Sequence, residues 1–203
     1  MSTPPATTKG EATRMAILDR AYAIASATGL EGLSIGALAA AVGMSKSGVF
    51  VHFGSREDLQ LAVLDTAARR FADRILPTAM KSQAGMPRLR ALMSTWFEWI
   101  RDQRGSCLLL SAISEYDDRP GPLRDRIVGY QLRWREELAR AVAATVARGE
   151  LPHETDTAQL AFELNAVALA VQHEAAVAGV EAAAQHGARM LERLLGAAAH
   201  LRT

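Results

Sequence analysis

Four consecutive residues, Ser45 to Gly48, have the side chains expected of a DNA contact. Lys46 carries a positive charge that attracts phosphate, and Ser45 and Ser47 offer hydroxyls that can donate to phosphate oxygens. Gly48 has no side chain, so the backbone at this point can approach a nucleic acid closely. The alternative is that these are ordinary solvated residues at the start of a helix. The choice between the two depends on the elements that position them.

Two short helices joined by a tight turn are predicted to position this run. Ser34 and Ser45 are candidate N-caps, because a serine hydroxyl accepts an otherwise unpaired backbone N–H at a helix start. Gly43 stands where the first of these helices should end, since glycine tolerates positive φ. The apolar face of that helix is formed by Ile35, Leu38, Ala39 and Val42. The pattern predicts a helix-turn-helix, whose second helix enters the DNA major groove.

The charge distribution favours a local DNA-binding face over a general affinity for polyanions. No Asp or Glu occurs between Gly32 and Arg56, as expected of a surface that meets phosphate. Residues 1–60 nevertheless hold five Lys or Arg and five Asp or Glu, and the whole chain has a formal charge of +1. This balance excludes a basic protein that coats nucleic acid by charge alone.

Composition and periodicity predict an all-α fold. Apolar residues make up 49% of the 203 residues and charged residues 22%, which is typical of a globular protein. Apolar side chains recur at helical spacing in about nine segments. The Ser/Thr/Pro-rich start predicts a disordered tail at residues 1–9 and is not a signal peptide. The single Cys and the lack of a long apolar run predict a protein of the reducing cytoplasm without a membrane span.

The N-terminal part of the chain carries a pattern that resembles a known family. The pattern is R-x-x-I-L-x-x-A ending in Gly29, followed by SIGALAAAVGMSKSGVFVHFGSREDL. Its residues are Arg14, Ile17, Leu18, Ala21, Gly29, Ile35, Leu38, Ala39, Gly43, Ser45, Lys46, Phe53, Ser55, Glu57 and Leu59. Over about Arg14 to Val63 it resembles the N-terminal domain of the tetracycline-repressor (TetR) family. The later segments GSCLLL and EYDDRPGPLRD look like the C-terminal domain of one subgroup of that family.

Three residues depart from the family pattern. Phe50 stands where the family usually has a tyrosine whose hydroxyl contacts phosphate, so that contact should be missing. Arg56 replaces a usual lysine and keeps the charge. Ala25 stands where a large aromatic residue is common, so we expect closer packing of the first helix.

The resemblance implies a homodimer that represses transcription from a double-stranded DNA operator until a small-molecule inducer binds. It implies a three-helix DNA-binding domain at residues 10–55 and a helical-bundle domain for ligand binding and dimerisation at 56–203. The candidate DNA-binding residues are Arg14, Ser34, Ser45, Lys46, Ser47, Gly48, Phe50, His52 and Arg56. For His52, a surface position beside the next turn is an equal alternative. The alternative function is a DNA-free helical small-molecule carrier or assembly scaffold.

Aromatic residues of the C-terminal half are candidates for an apolar ligand pocket between helices. For each of them ordinary core packing is the alternative, and the resemblance favours a pocket for the set. The candidate pocket residues are Trp96, Phe97, Ile100, Cys107, Tyr116, Tyr130, Gln131, Trp134, Phe162 and Asn165. Gln131 and Asn165 would be its polar groups. Because no cluster of cations indicates a phosphate-bearing ligand, we expect an apolar ligand that is neutral or only weakly polar.

Two further sequence features concern assembly and redox chemistry. The last two predicted helices are Ala-rich with Leu at helical spacing, which predicts a four-helix dimer interface. Its candidate residues are Leu160, Leu164, Val171, Leu191, Leu194 and Leu195. Cys107 lies at a predicted helix start, which would lower its thiol pKa and suit a redox sensor, although a small buried residue is the simpler interpretation.

No residue pattern in the sequence indicates an enzyme. His173 and Glu174 lack the second histidine four residues on that a helical zinc site needs. A Ser/His/Asp arrangement and a Gly-rich phosphate loop are also missing from the sequence. We therefore expect no metal, no cofactor and no catalytic residues.

Overall fold

The computed structural model describes residues 9–200, apart from the side chain of His200, and this part contains nine α-helices and no strand. The helices are α1 (Lys9–Thr28), α2 (Ile35–Val42), α3 (Lys46–Phe53), α4 (Arg56–Met80), α5 (Met86–Asp102), α6 (Leu108–Tyr116), α7 (Pro122–Ala147), α8 (Thr157–Ala178) and α9 (Val180–His200). The all-α prediction is confirmed. The predicted tail lies outside the described residues except for Lys9, which is already helical. Of these helices none alone could cross a membrane; α2 and α3 pass by length and composition only as a bent pair.

Serine caps begin both helices of the helix-turn-helix, as predicted. The Ser34 hydroxyl accepts a hydrogen bond from Ala37 N at 3.1 Å, and the Ser45 hydroxyl accepts one from Gly48 N at 3.1 Å. Each bond satisfies a backbone donor that the helix itself leaves unpaired. Gly43 ends α2 with φ at 67°, a conformation that glycine adopts without strain. The two helices are bent by 106° relative to each other, which is typical of the motif.

Helix α4 connects the helix-turn-helix to the rest of the chain. Ser55 begins it, because its hydroxyl accepts from Asp58 N at 2.9 Å and donates to Asp58 Oδ2 at 2.6 Å. Along its length α4 packs against α1 and α3 and also against α5, α6 and α7. Leu59 and Ile75, near its two ends, are both fully buried. Burial of each such side chain stabilises the fold by about 1.5–3 kcal/mol, so α4 is fixed in both halves of the protein.

The leucine stripe that was predicted to form a dimer interface belongs mostly to the protomer's own core. Five of its six residues are at most 4% exposed, namely Leu160, Leu164, Val171, Leu191 and Leu195. They are buried because α8 packs against α7, α5 and α9. Apolar residues occur all round α8, so helical spacing alone did not distinguish its inner face from its outer one. Leu194 is the member that lies half-buried at the surface.

The opposite side of this helix pair is an exposed apolar surface, which we call the outer α8–α9 face. Its apolar residues are Phe162, Ala166, Ala170, Met190, Leu194 and Ala197, and the charged residues Glu163 and Arg193 lie beside them. Phe162 is 53% exposed and Met190 is 44% exposed. The structure thus places Phe162 on an outer surface rather than in the predicted ligand pocket, because its side chain points away from the packed side of α8. Exposed apolar patches of this kind are typical of interaction surfaces.

Candidate functional site

Helix α3 presents one side to solvent and buries the other. Val49 and Phe53, one helical turn apart, are buried against the neighbouring helices. The exposed side carries Ser45, Lys46, Ser47, Phe50 and Val51. The candidate DNA-binding residues at the helix start are therefore together on one open surface, where a recognition helix would meet base edges and phosphates.

The side chain of Lys46 lies along α2. A Cβ atom at Gly36 would come within 3.2 Å of the Lys46 Cε, so the absence of a side chain at Gly36 makes room for the lysine. Gly48 is similarly enclosed, because a Cβ there would lie 3.2 Å from Met44 Cε and 3.3 Å from Ser45 Oγ. The Lys46 side chain thus packs against Gly36 of α2, and the backbone at Gly48 lies close to the side chains of Met44 and Ser45.

The remaining candidate DNA-binding residues are held by contacts within the chain. The Arg14 guanidinium lies 4.9 Å from the centre of the Phe53 ring, and half-buried His52 lies beside the same ring. Arg56 donates to the Leu33 carbonyl at 3.1 Å and to the Glu31 carbonyl at 2.5 Å. Arg56 is therefore engaged with the α1–α2 loop, and any contact that it makes with DNA would have to share these donors.

An apolar part of the α3 surface escaped the sequence analysis. Val51 is 85% exposed and Phe50 is 42% exposed. The exposure of Val51 could have been predicted from its spacing, because Val51 does not lie on the helix face that Val49 and Phe53 bury. Exposed apolar side chains on a recognition helix are suited to contact with thymine methyl groups.

A cavity of about 370 Å³ lies between α4, α5, α6 and α7. Its inner wall is aromatic: the Phe71 ring meets Trp134 edge-on at 4.7 Å and Trp96 at 5.7 Å, and the two indoles are 5.1 Å apart. Five candidate pocket residues line it, namely Trp96, Cys107, Tyr130, Gln131 and Trp134. Edge-to-face aromatic packing gives the inner wall a fixed shape.

Other candidate pocket residues lie elsewhere. Phe97, Ile100 and Asn165 are buried in the core but do not line this cavity. Tyr116 is buried at the far end of α6, against the α1–α2 loop. Helical spacing identified these side chains as buried, and the way the helices cross decided which of them border a cavity.

Four charged residues that the sequence analysis did not select also line the cavity, Asp65, Arg69, Arg133 and Glu137. Asp65 and Arg69 lie one turn apart on α4, and Arg133 and Glu137 lie one turn apart on α7. This spacing is the sequence signal that could have identified them. Both acids are paired. Asp65 accepts from Arg126 and from the Tyr130 hydroxyl, and Glu137 pairs with Arg140.

These contacts change the proton affinities of the groups involved. Burial, followed by the hydrogen bond to Asp65, raises the pKa of Tyr130. The hydrogen bond to the same carboxylate raises the pKa of Arg126. Tyr130 therefore remains a neutral phenol at neutral pH and donates its hydroxyl to Asp65.

Cys107 is buried, in agreement with the simpler of its two interpretations and against the alternative of an activated thiol. It is 2% exposed and borders the cavity at the start of α6. Burial raises the pKa of its thiol. The position at a helix start does not compensate for the loss of solvation, so the thiol stays protonated at neutral pH.

Helix α6 connects the cavity to the helix-turn-helix. Its first turn supplies Leu109 and Leu110 to the cavity wall, and Gln131 Nε2 donates to the Leu109 carbonyl at 2.8 Å. At its other end Glu115 and Tyr116 hold the α1–α2 loop. The Glu115 carboxylate accepts from the backbone N–H groups of Leu30 at 3.2 Å and Glu31 at 2.9 Å.

The loop itself carries a charged cluster around Glu31. Its carboxylate accepts from the Tyr116 hydroxyl at 2.8 Å and pairs with Arg56 at 3.2 Å and Arg119 at 3.3 Å. The Tyr116 hydrogen bond, together with these arginines, lowers the pKa of Glu31. Burial and the same hydrogen bond raise the pKa of Tyr116.

The described residues contain no group of three or more His, Cys, Asp or Glu that could hold a metal ion.

The comparisons with known proteins agree with this arrangement. Residues 17–63 match the family described as bacterial regulatory proteins, tetR family, and residues 85–191 match the tetracyclin repressor-like C-terminal domain. A comparison with curated proteins gave no match.

Solved structures of similar fold include three that are informative. A TetR transcriptional regulator from Chloroflexus aurantiacus J-10-FL is 27% identical, with a TM-score of 0.81 over 93% of this chain and 94% of that one. A TetR-family regulator from Cytophaga hutchinsonii is 19% identical, with a TM-score of 0.84 over 97% and 99%. AibR, solved in complex with isovaleryl coenzyme A and operator DNA, is 22% identical, with a TM-score of 0.71 over 90% and 97%. Together with the two domain matches, these findings establish that the chain belongs to the tetracycline-repressor family of DNA-binding transcription regulators.

Proposed function

We propose that the protein is a homodimeric repressor that binds a palindromic operator and leaves it when a small molecule occupies the cavity. In this proposal residues 10–55 form the DNA-binding unit, and residues 56–203 bind the ligand and dimerise. Its place of action is the cytoplasm, where the DNA is. Family membership favours this function over a DNA-free carrier or scaffold, because family members are transcription regulators.

The position of α6 carries the proposal. One end of this helix borders the cavity through Leu109 and Leu110, and the other end binds the loop before α2 through Glu115 and Tyr116. A molecule that displaces the cavity end of α6 would therefore move the loop from which the helix-turn-helix begins. AibR, a protein of similar fold solved in complex with isovaleryl coenzyme A and operator DNA, supports a regulator that binds both a small molecule and DNA.

The outer α8–α9 face supports the homodimer. Phe162, Met190 and Leu194 lie together in one apolar patch, and Ala166, Ala170 and Ala197 would let two helices approach closely. Two α8–α9 pairs packed through this face would form a four-helix interface. A symmetric dimer would carry two recognition helices, which a palindromic operator requires about 34–36 Å apart.

A gel shift with the DNA that flanks the protein's own gene tests the proposal. Lys46→Ala should weaken operator binding by about 1–3 kcal/mol and leave the fold intact, because it removes a charge from the α3 surface. Lys81→Ala is the matched control, since Lys81 is an exposed lysine at the far end of α4. Equal operator binding by both variants across a salt titration would contradict a contact between Lys46 of α3 and DNA. If the wild-type protein does not shift this DNA, the proposal that the operator lies beside the protein's own gene is wrong.

A further inference from the structure

The cavity has a polarity that the sequence did not indicate. Its inner wall is formed by buried Phe71, Trp96 and Trp134, of which Trp96 is fully buried. Arg69 and Arg133 also line it, and both are exposed. The cavity is thus apolar at its inner end and cationic at the end that faces solvent.

The charges around this opening do not cancel. The carboxylate of Asp65 already accepts from Arg126 and Tyr130, and that of Glu137 is paired with Arg140. The carboxylates that line the cavity are therefore neutralised by arginines that do not line it. Two cationic side chains remain at the opening without such compensation.

Neither of these two arginines forms an ion pair within residues 9–199. Arg69 makes one long hydrogen bond, from its Nη2 to the Thr66 hydroxyl at 3.5 Å. Arg133 lies with its guanidinium 4.7 Å from the centre of the Tyr130 ring, which holds it over the cavity wall without using its N–H donors. A guanidinium whose donors are unused binds a carboxylate through two parallel hydrogen bonds.

We infer that the ligand of this cavity is a small amphipathic carboxylic acid, whose apolar body lies against Phe71, Trp96 and Trp134 and whose carboxylate is bound by Arg69 and Arg133. This inference rests on the proposed function of the cavity as the effector site, and it replaces the neutral ligand expected from the sequence. A volume of about 370 Å³ is near the lower end of ligand pockets and suits a single ring or a short hydrocarbon chain. Two arginines match one carboxylate, whereas the described cavity lining offers no further cation for a polyphosphate.

Matched pairs of acids and their amides test the inference on the full-length protein. The probes are 3-phenylpropanoate, indole-3-propanoate and hexanoate, each compared at pH 7 with its primary amide. Binding is followed by tryptophan fluorescence, because two of the chain's three tryptophans line the cavity. We expect at least one acid to bind at least tenfold more tightly than its own amide. Acids and amides that bind equally well would overturn the inference, and so would a panel in which no acid binds.

Charge-neutral variants locate the effect. Arg69→Gln combined with Arg133→Gln should remove the preference for the acid while leaving the affinity for the amide within about twofold, since the aromatic wall is unchanged. Arg135→Gln, an exposed arginine of α7 outside the cavity, should keep the preference. Retention of the preference in the double variant would place the carboxylate elsewhere and overturn the inference. The gel shift with Lys46→Ala does not depend on any probe, so failure of the ligand class and failure of operator binding are distinguishable.

Discussion

The hydroxyl of Tyr116, the last residue of α6, donates a hydrogen bond of 2.8 Å to Oε1 of Glu31 in the loop between α1 and α2. The neighbouring Glu115 carboxylate accepts two backbone N–H groups of the same loop. At nine residues, α6 is about 13 Å long, so this contact and the cavity are two ends of one short rigid element. Helix α4 packs against both the helix-turn-helix and the cavity helices, and α6 is a second connection between the same two regions.

We predict that Tyr116→Phe and Glu31→Ala are each destabilising by about 0.5–1.5 kcal/mol or more, because each removes one partner of the same hydrogen bond. The double variant should be less destabilised than the sum of the two, since the loss of this shared hydrogen bond is counted in both single changes. Urea unfolding of the four proteins measures this. Tyr22→Phe is the control, because the Tyr22 hydroxyl makes only a long bond of 3.5 Å to Gln103. Strict additivity of the two changes would contradict the bond.

The same contact should make stability depend on pH in the acid range. The pKa of Glu31 is lowered in the folded protein, chiefly by the Tyr116 hydrogen bond. Its carboxylate therefore stabilises the fold above the unfolded value of about 4.3, and this contribution is lost as pH falls through the lower, folded pKa. We expect the stability difference between wild type and Glu31→Gln to shrink as pH falls below about 4. A difference that grows on acidification would mean that Glu31 is protonated more readily in the folded state.

Phe50→Tyr tests how α3 meets DNA. Phe50 is 42% exposed, so an added hydroxyl would point into solvent and cause no clash in the free protein. If α3 docks as in other family members, operator affinity should rise by about 0.5–1.5 kcal/mol through one new hydrogen bond to phosphate. The slope of affinity against salt should stay the same, because no charge is added. Unchanged affinity would indicate that position 50 faces away from the phosphates.

The sequence was most informative where structure is set locally. Ser34 and Ser45 were recognisable as caps because each needs only its own hydroxyl and a backbone N–H three residues on. Gly43 was recognisable for the same reason, since a helix end needs one residue that adopts positive φ. The all-α class and the helix-turn-helix followed from such local signals.

Features that depend on how helices cross could not be predicted. Leu194 and Leu195 are neighbours in an apolar helix, yet one is half-buried at the surface and the other is 1% exposed in the core. Arg69 and Arg133 are 64 positions apart in the sequence, and only the packing of α4 against α7 brings both to one cavity. For Cys107 the redox-sensor alternative rested on its place at a helix start, whereas its burial, a tertiary property, determines its pKa.

Cys107 should be unreactive in the folded protein. Its thiol is buried and its pKa is raised by that burial, so the nucleophilic thiolate is scarce at pH 8. We expect a thiol reagent to modify it at least a hundredfold more slowly in buffer than in denaturant, where the whole chain is exposed. Mass spectrometry measures the rate without ambiguity, since the chain has one cysteine. Rapid modification of the folded protein would restore the redox-sensor interpretation.

Adjacent leucines of α9 provide the sharpest test of assembly. Leu194 belongs to the outer α8–α9 face, so Leu194→Glu would place an unpaired charge in the proposed dimer interface and should give folded monomers. Leu195 is 1% exposed within the protomer, so Leu195→Glu should instead abolish folding, with loss of helical circular dichroism. Leu132→Glu, at a leucine of α7 that is 51% exposed, should remain a folded dimer.

Sedimentation gives the mass of each variant. The Leu194→Glu monomer should also lose most of its operator affinity, because one recognition helix reads only half of a palindrome. A Leu194→Glu protein that sediments as a dimer would place the interface on another surface.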